Sequence, residues 1–133
     1  MALVNPTHER GYCSFAITGQ LTHAAGDSVG HIVNPEGVPI VITNCFVYVA
    51  TNSAGVANLT IGSAATVLAG HDLVNLLPAT AMAAAAGTAV KGFANGDPAD
   101  ALPVLAAGDF IVACGSADTT GLTATAYIEY VRV

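Results

Sequence analysis

Charge is scarce in this chain. Three Lys and Arg and nine Asp and Glu stand among 133 residues, 9% charged against 53% hydrophobic, where an ordinary soluble domain carries about 25% charged residues. A globular monomer of this length exposes roughly 6,400 Å². So few charges cannot cover that area, and large bare apolar patches on a lone monomer are aggregation hazards. The composition therefore points to surface hidden against other protein, in a component of an assembly.

The other absences exclude whole function classes. Arg10, Lys91 and Arg132 are the only cations and they are scattered, with a net charge of −6, so contact with DNA or RNA, which needs several cations against phosphates, is not expected. Val38 to Gly70 holds no charge, but Asn44, Thr51, Asn52, Ser53, Gly55, Asn58 and Gly62 interrupt it. No run approaches the ~20 apolar residues of a spanning helix, and no membrane association is expected. The start of the chain lacks a cationic segment followed by an apolar one, so no secretory signal is read there. Cys13, Cys45 and Cys114 are odd in number, without CxxC spacing, each in an apolar or alternating run; they read as buried free thiols in a reducing compartment. Tryptophan is missing and aromatics are 6%, which counts against a sugar-binding module.

Chemistry is missing too. His8, His23, His31 and His71 show no HxH or HExxH spacing, so no zinc site is expected. His71-Asp72 reads as a turn that starts a new element. Ser28 and Ser116 lack a GxSxG elbow, and Gly26-Asp27-Ser28-Val29-Gly30 lacks the Lys of a phosphate loop. Asp97 and Asp100, three apart in a Gly/Pro loop, are too sparse for calcium. The expectation is a protein that is not an enzyme, with no catalytic residue, cofactor or metal.

What is present is strand pattern. Tyr12 to Ile17 is short, aromatic and β-branched. Val38 to Thr51 is the strongest stretch: straight alternation puts Ile40, Ile42, Phe46 and Tyr48 on one face and Val41, Thr43, Cys45, Val47 and Val49 on the other. With both faces apolar, the strand is expected to be covered on both sides. Val56 to Ile61 follows the turn-forming Asn52-Ser53-Ala54-Gly55, and the pair reads as a hairpin. Phe110 to Cys114 and Leu122 to Val133 flank a polar connection and read as a second hairpin. In the last strand Leu122, Ala124, Ala126, Ile128 and Tyr130 share the face assigned to the core; Thr123, Thr125, Tyr127, Glu129 and Val131 share the other. His71 to Leu77 fits a strand or short helix, Ala79 to Ala86 a helix or packed loop beside a strand at Thr88 to Gly92, and Gly92 to Gly108 mostly loop. About eight short, evenly spaced strands predict an all-β, single-domain β-sandwich over residues 12–133, jelly-roll-like, preceded by an N-terminal arm over residues 1–11. The arm's Val4, Asn5, Pro6, His8 and Arg10 are candidate partner-binding residues. So is Tyr127, on the outer face of the last strand, because tyrosine is enriched at interfaces.

Four stretches taken together, His31 to Thr43, Val47 to Gly62, His71 to Leu77 and Ser116 to Tyr130, resemble the small head decoration or cement proteins of tailed bacteriophages, from about Gly30 onward. The resemblance implies a jelly-roll-like sandwich, usually trimeric, that sits on the capsid surface of the virion and reinforces the lattice of the major capsid protein after synthesis in the host cytoplasm. A tail or fibre component, or a carbohydrate-binding β-sandwich module, is the alternative expectation.

Overall fold

A computed structural model of the chain describes residues 10–20, 28–67, 76–91 and 102–133. Among these residues there is no helix and there are nine strands: β1 (Arg10–Thr18), β2 (Ser28–Val33), β3 (Ile40–Thr51), β4 (Asn58–Ala64), β5 (Leu77–Ala81), β6 (Thr88–Lys91), β7 (Val104–Leu105), β8 (Phe110–Gly115) and β9 (Thr123–Arg132). They form two antiparallel sheets, β1-β9-β3-β6, with β7 also on β3, and β2-β8-β4-β5. The pairs β4·β5, β3·β6, β2·β8 and β1·β9 nest inside one another as in one long hairpin. Wrapping that hairpin brings β9 beside β3 and β8 beside β4. Eight strands in this order make a jelly roll, and β7 is an addition to it.

The core lies between the sheets. β1 contributes Phe15 and Ile17, β3 contributes Ile40, Ile42, Cys45, Val47 and Val49, and β9 contributes Ala124, Ala126, Ile128 and Tyr130; Leu59, Ile61, Ile111 and Ala113 face them from the second sheet. Each fully buried large aliphatic side chain contributes about 1.5–3 kcal/mol. Along one side the sandwich closes where β2 meets β1. Gly30 permits this, since a Cβ there would overlap the Ala16 carbonyl oxygen.

The face assignment of the last strand holds: Leu122, Ala124, Ala126, Ile128 and Tyr130 are buried, while Thr123 and Tyr127 are exposed. Four expectations do not hold. Neither expected hairpin exists, because β3 and β4, and likewise β8 and β9, belong to different sheets. Their turn-rich connections are corners between sheets, tied to other loops rather than to their own strands: the Ser53 N–H donates to the Met82 carbonyl (3.2 Å) and the Ala54 N–H to the Thr120 carbonyl (2.7 Å). The straight alternation of β3 also fails. Ile42 pairs with Tyr130 and Asn44 with Glu129, so Thr43 is an extra residue, a β-bulge that reverses the parity of the strand. Cys45, Val47 and Val49 therefore join Ile40 and Ile42 in the core, and Phe46 and Tyr48 turn outward. As a result β3 is covered on one face only, with Tyr48 45% exposed. The arm does not reach residue 11, because Arg10 and Gly11 already pair with Val131 and Tyr130 in β1. Of the alanine-rich stretch, Ala79 to Ala81 lie in β5 and residues 82–87 form turns leading into β6, the loop rather than the helix of the two expected forms.

Candidate functional site

Two surfaces gather most of the large apolar side chains that the core leaves out, Val56 in the connection before β4 standing apart. The first lies on the outer face of the β1-β9-β3 sheet. Register sets side chains in rows across the strands: Tyr12, Glu129 and Asn44 in one row, Ser14, Tyr127 and Phe46 in the next, then Ala16, Thr125 and Tyr48. Between the first two rows runs a groove of about 190 Å³ lined by Tyr12, Asn44, Phe46, Tyr127 and Glu129, with Cys13 and Ile128 beneath. Phe46 and Tyr127 stack with ring centres 4.9 Å apart and planes 18° from parallel. Tyr12 is 69% exposed and Tyr127 40%. Glu129 Oε1 lies 3.5 Å from Arg10 Nε and accepts a bond from the Thr43 hydroxyl at 3.3 Å. The bulge thus sets Asn44 opposite Glu129 and anchors Glu129 in the same step.

The second surface is one end of the sandwich. Here the loop 34–39, the loop 102–109 and the C-terminus meet, and Val33, Val38, Leu102, Val104 and Val133 are exposed. Two polar devices hold these segments. Asn34, 5% exposed, directs Nδ2 at the carbonyls of Val38 (3.0 Å), Leu105 (3.2 Å) and Ala106 (3.0 Å), and its Oδ1 accepts the Glu36 N–H at 2.9 Å. The Tyr130 hydroxyl donates to Glu36 Oε1 at 2.7 Å, and Arg132 Nε meets the same oxygen at 3.0 Å. Gly11 makes room for this clasp, since a Cβ there would overlap the Tyr130 ring. The bonds from Arg132 and Tyr130 hold the Glu36 carboxyl below the usual carboxylate range. Burial, then the bond to Glu36, pushes the Tyr130 phenol up to about 12.

Of the residues expected to bind a partner, Val4, Asn5, Pro6 and His8 lie outside the described residues. Arg10 and Tyr127 come together on the groove face, Arg10 through its ion pair with Glu129. Tyr12, Asn44 and Phe46 belong to the same site, and sequence reading missed them. A usable signal was Asn44 itself: straight alternation put this polar residue between Ile42 and Phe46 on a face expected to be covered, which a bulge resolves. The thiols offer little reactivity. Burial pushes Cys13 up to about 11 and Cys45 up to about 12, so both are protonated, weak nucleophiles at neutral pH. Among the described residues no three His, Cys, Asp or Glu side chains gather closely enough to hold a metal ion, and no helix is long and apolar enough to cross a membrane. The chain matches no protein-family model, no curated protein and no solved structure.

Proposed function

We propose that this protein is a non-enzymatic capsid decoration protein of a tailed bacteriophage, a homotrimer that binds the lattice of the major capsid protein on the virion surface and stabilises it. The observation that carries this reading is the apolar end of the sandwich. Its exposed valines and leucine are concentrated there, and Asn34 and the Glu36 clasp fix the segments that carry them. A pre-ordered apolar patch loses little conformational freedom on docking and suits a protein partner. The charge-poor composition and the resemblance to cement proteins support the same reading. Many such contacts on a repeating lattice sum to strong attachment even where each is weak.

Cosedimentation with shells of the major capsid protein tests it. The wild-type protein pellets with shells, and Leu102→Asp/Val104→Asp, altered only at exposed positions, stays in the supernatant with its thermal midpoint unchanged. Light scattering reads three times the 13.2 kDa chain mass. A wild-type protein that ignores shells overturns the reading, and binding to isolated tails instead moves the protein to the tail or fibre class.

A further inference from the structure

We propose that the groove on the outer face of the β1-β9-β3 sheet binds a neutral sugar ring, a hexopyranose of a surface glycan. The inference concerns a surface other than the apolar end and does not depend on shell binding.

The ring faces come first. A pyranose presents one face of C–H groups, which an aromatic side chain desolvates well, and a rim of hydroxyls that both donate and accept. The groove offers the matching halves. Phe46 and Tyr127 are fixed against each other by stacking, and Tyr12 stands across from them. Tyrosine and phenylalanine rings supply contact area at low conformational cost because they have only two side-chain torsions. Beside the rings, in the row of Tyr12, lie Asn44, whose amide carries both donors and an acceptor, and the carboxylate of Glu129, an acceptor. All of them rise from paired strands rather than loops, so the site is ordered before a ligand arrives.

Charge then narrows the ligand class. An aromatic cage for a quaternary ammonium relies on the ring faces and gains from an uncompensated negative charge. Here Glu129 already faces the Arg10 guanidinium and accepts from Thr43, so the wall is close to neutral. Among the described residues no cation lines the groove to hold phosphate or sulfate, and the net charge of −6 disfavours nucleic acid. Size agrees: about 190 Å³ falls below the roughly 300–1,000 Å³ of a drug-sized pocket and suits a single ring, with the open sheet surface leaving space for the rest of a chain.

The test is an amide NMR titration of the full chain with the methyl glycosides of glucose, galactose, mannose and N-acetylglucosamine, with choline and inorganic phosphate as charged controls, beside a glycan array. At least one glycoside gives saturable shifts at residues 12–13, 44–46 and 127–129, with a dissociation constant in the millimolar range. Tyr127→Ala and Asn44→Ala each weaken binding about tenfold, a loss of about 1.4 kcal/mol. Tyr12→Ala does the same, and since Tyr12 is the most exposed tyrosine of the face, its removal leaves the fold intact. Tyr48→Ala, one row beyond the groove, changes nothing. No saturable shift with any glycoside together with a blank array overturns the proposal. So does choline or phosphate binding in place of sugar, or groove amides that respond only to capsid shells.

Discussion

The two sheets share one core but treat their outer faces in opposite ways. On the outer face of the β2-β8-β4-β5 sheet, Thr60 sits opposite Cys114 and Gly62 opposite Val112. All four are buried, Val112 and Cys114 completely, although they point away from Ile111 and Ala113 of the core. On the β1-β9-β3 sheet the outer positions are Tyr12, Ser14, Tyr48, Thr125 and Tyr127, and three large rings stand in solvent. Both β3 and β8 are apolar on both faces in sequence. Only β8, with its short run of small and aliphatic residues, is covered on both. An apolar strand therefore does not announce its own burial. A covered outer face uses small side chains that let material pack close, whereas a face that remains free carries aromatic side chains with polar tips or polar neighbours.

The sharpest way to break this comparison is to place a carboxylate on each face. Val112→Asp buries an unpaired charge on the outer side of its sheet and should destabilise by several kcal/mol, about the whole stability of a small domain. Ile128→Asp on the inner face should do the same. Thr125→Lys and Tyr127→Asp, outward on the other sheet, should stay within about 1 kcal/mol. Soluble expression and urea denaturation read the difference. Equal tolerance of Val112→Asp and Thr125→Lys would mean that the two outer faces are alike.

A smaller effect separates the apolar end from both faces. Asn34→Ala removes one side chain and with it the bonds to the carbonyls of Val38 and Leu105 and to the Glu36 N–H, while the Ala106 carbonyl keeps the Asp109 N–H. Buried groups left without partners cost about 1–3 kcal/mol, so a loss of about 2–3 kcal/mol is expected in chemical denaturation. Faster amide exchange should be confined to residues 34–39 and 102–109. Exchange that quickens equally across the sheets would show that Asn34 serves the whole sandwich rather than its end.

The sequence made the sandwich legible because period-two alternation in β9 runs unbroken from Leu122 to Tyr130, with one residue type per face. It misread β3 because one extra residue, Thr43, reverses the positions from Asn44 to Val49. A bulge leaves no mark in hydropathy beyond one misplaced polar residue, Asn44. The hairpins failed for a different reason. Asn52-Ser53-Ala54-Gly55 and the connection after Gly115 have the chemistry of tight reversals, and the same residues suit a corner between two sheets. Which one forms depends on pairing partners far away in sequence, such as β9 for β3. The groove was hidden by these misreadings: with both faces of the strand expected to be covered, Phe46 and Tyr48 were not read as exposed neighbours of Tyr127, and the scarcity of aromatics hid the fact that half of them share one face.

The smallest expected effect tests how the two sheets are joined. Glu36 lies in the loop between β2, on one sheet, and β3, on the other, and its carboxylate receives Tyr130 and Arg132 of β9. Its carboxyl is held low in the folded state, so the unfolded chain takes up the proton first as pH falls. The clasp's contribution is complete above the unfolded glutamate value of about 4.3 and is lost as pH drops from there through the lower folded value. Tyr130 behaves in the opposite sense. Its phenol is raised to about 12 from about 10, so its contribution is complete below about pH 10 and fades as pH rises towards 12. Glu36→Gln separates the two. The stability gap between wild type and variant should be widest near neutrality and close as pH falls below the ordinary glutamate range. Part of the alkaline loss should persist in the variant, because burial, the first cause of the Tyr130 shift, does not depend on Glu36. Thermal melts of both proteins from acid to alkaline pH measure it. A gap that stays constant through the acid range would mean that the Glu36 carboxylate does not tie the β2–β3 loop to β9.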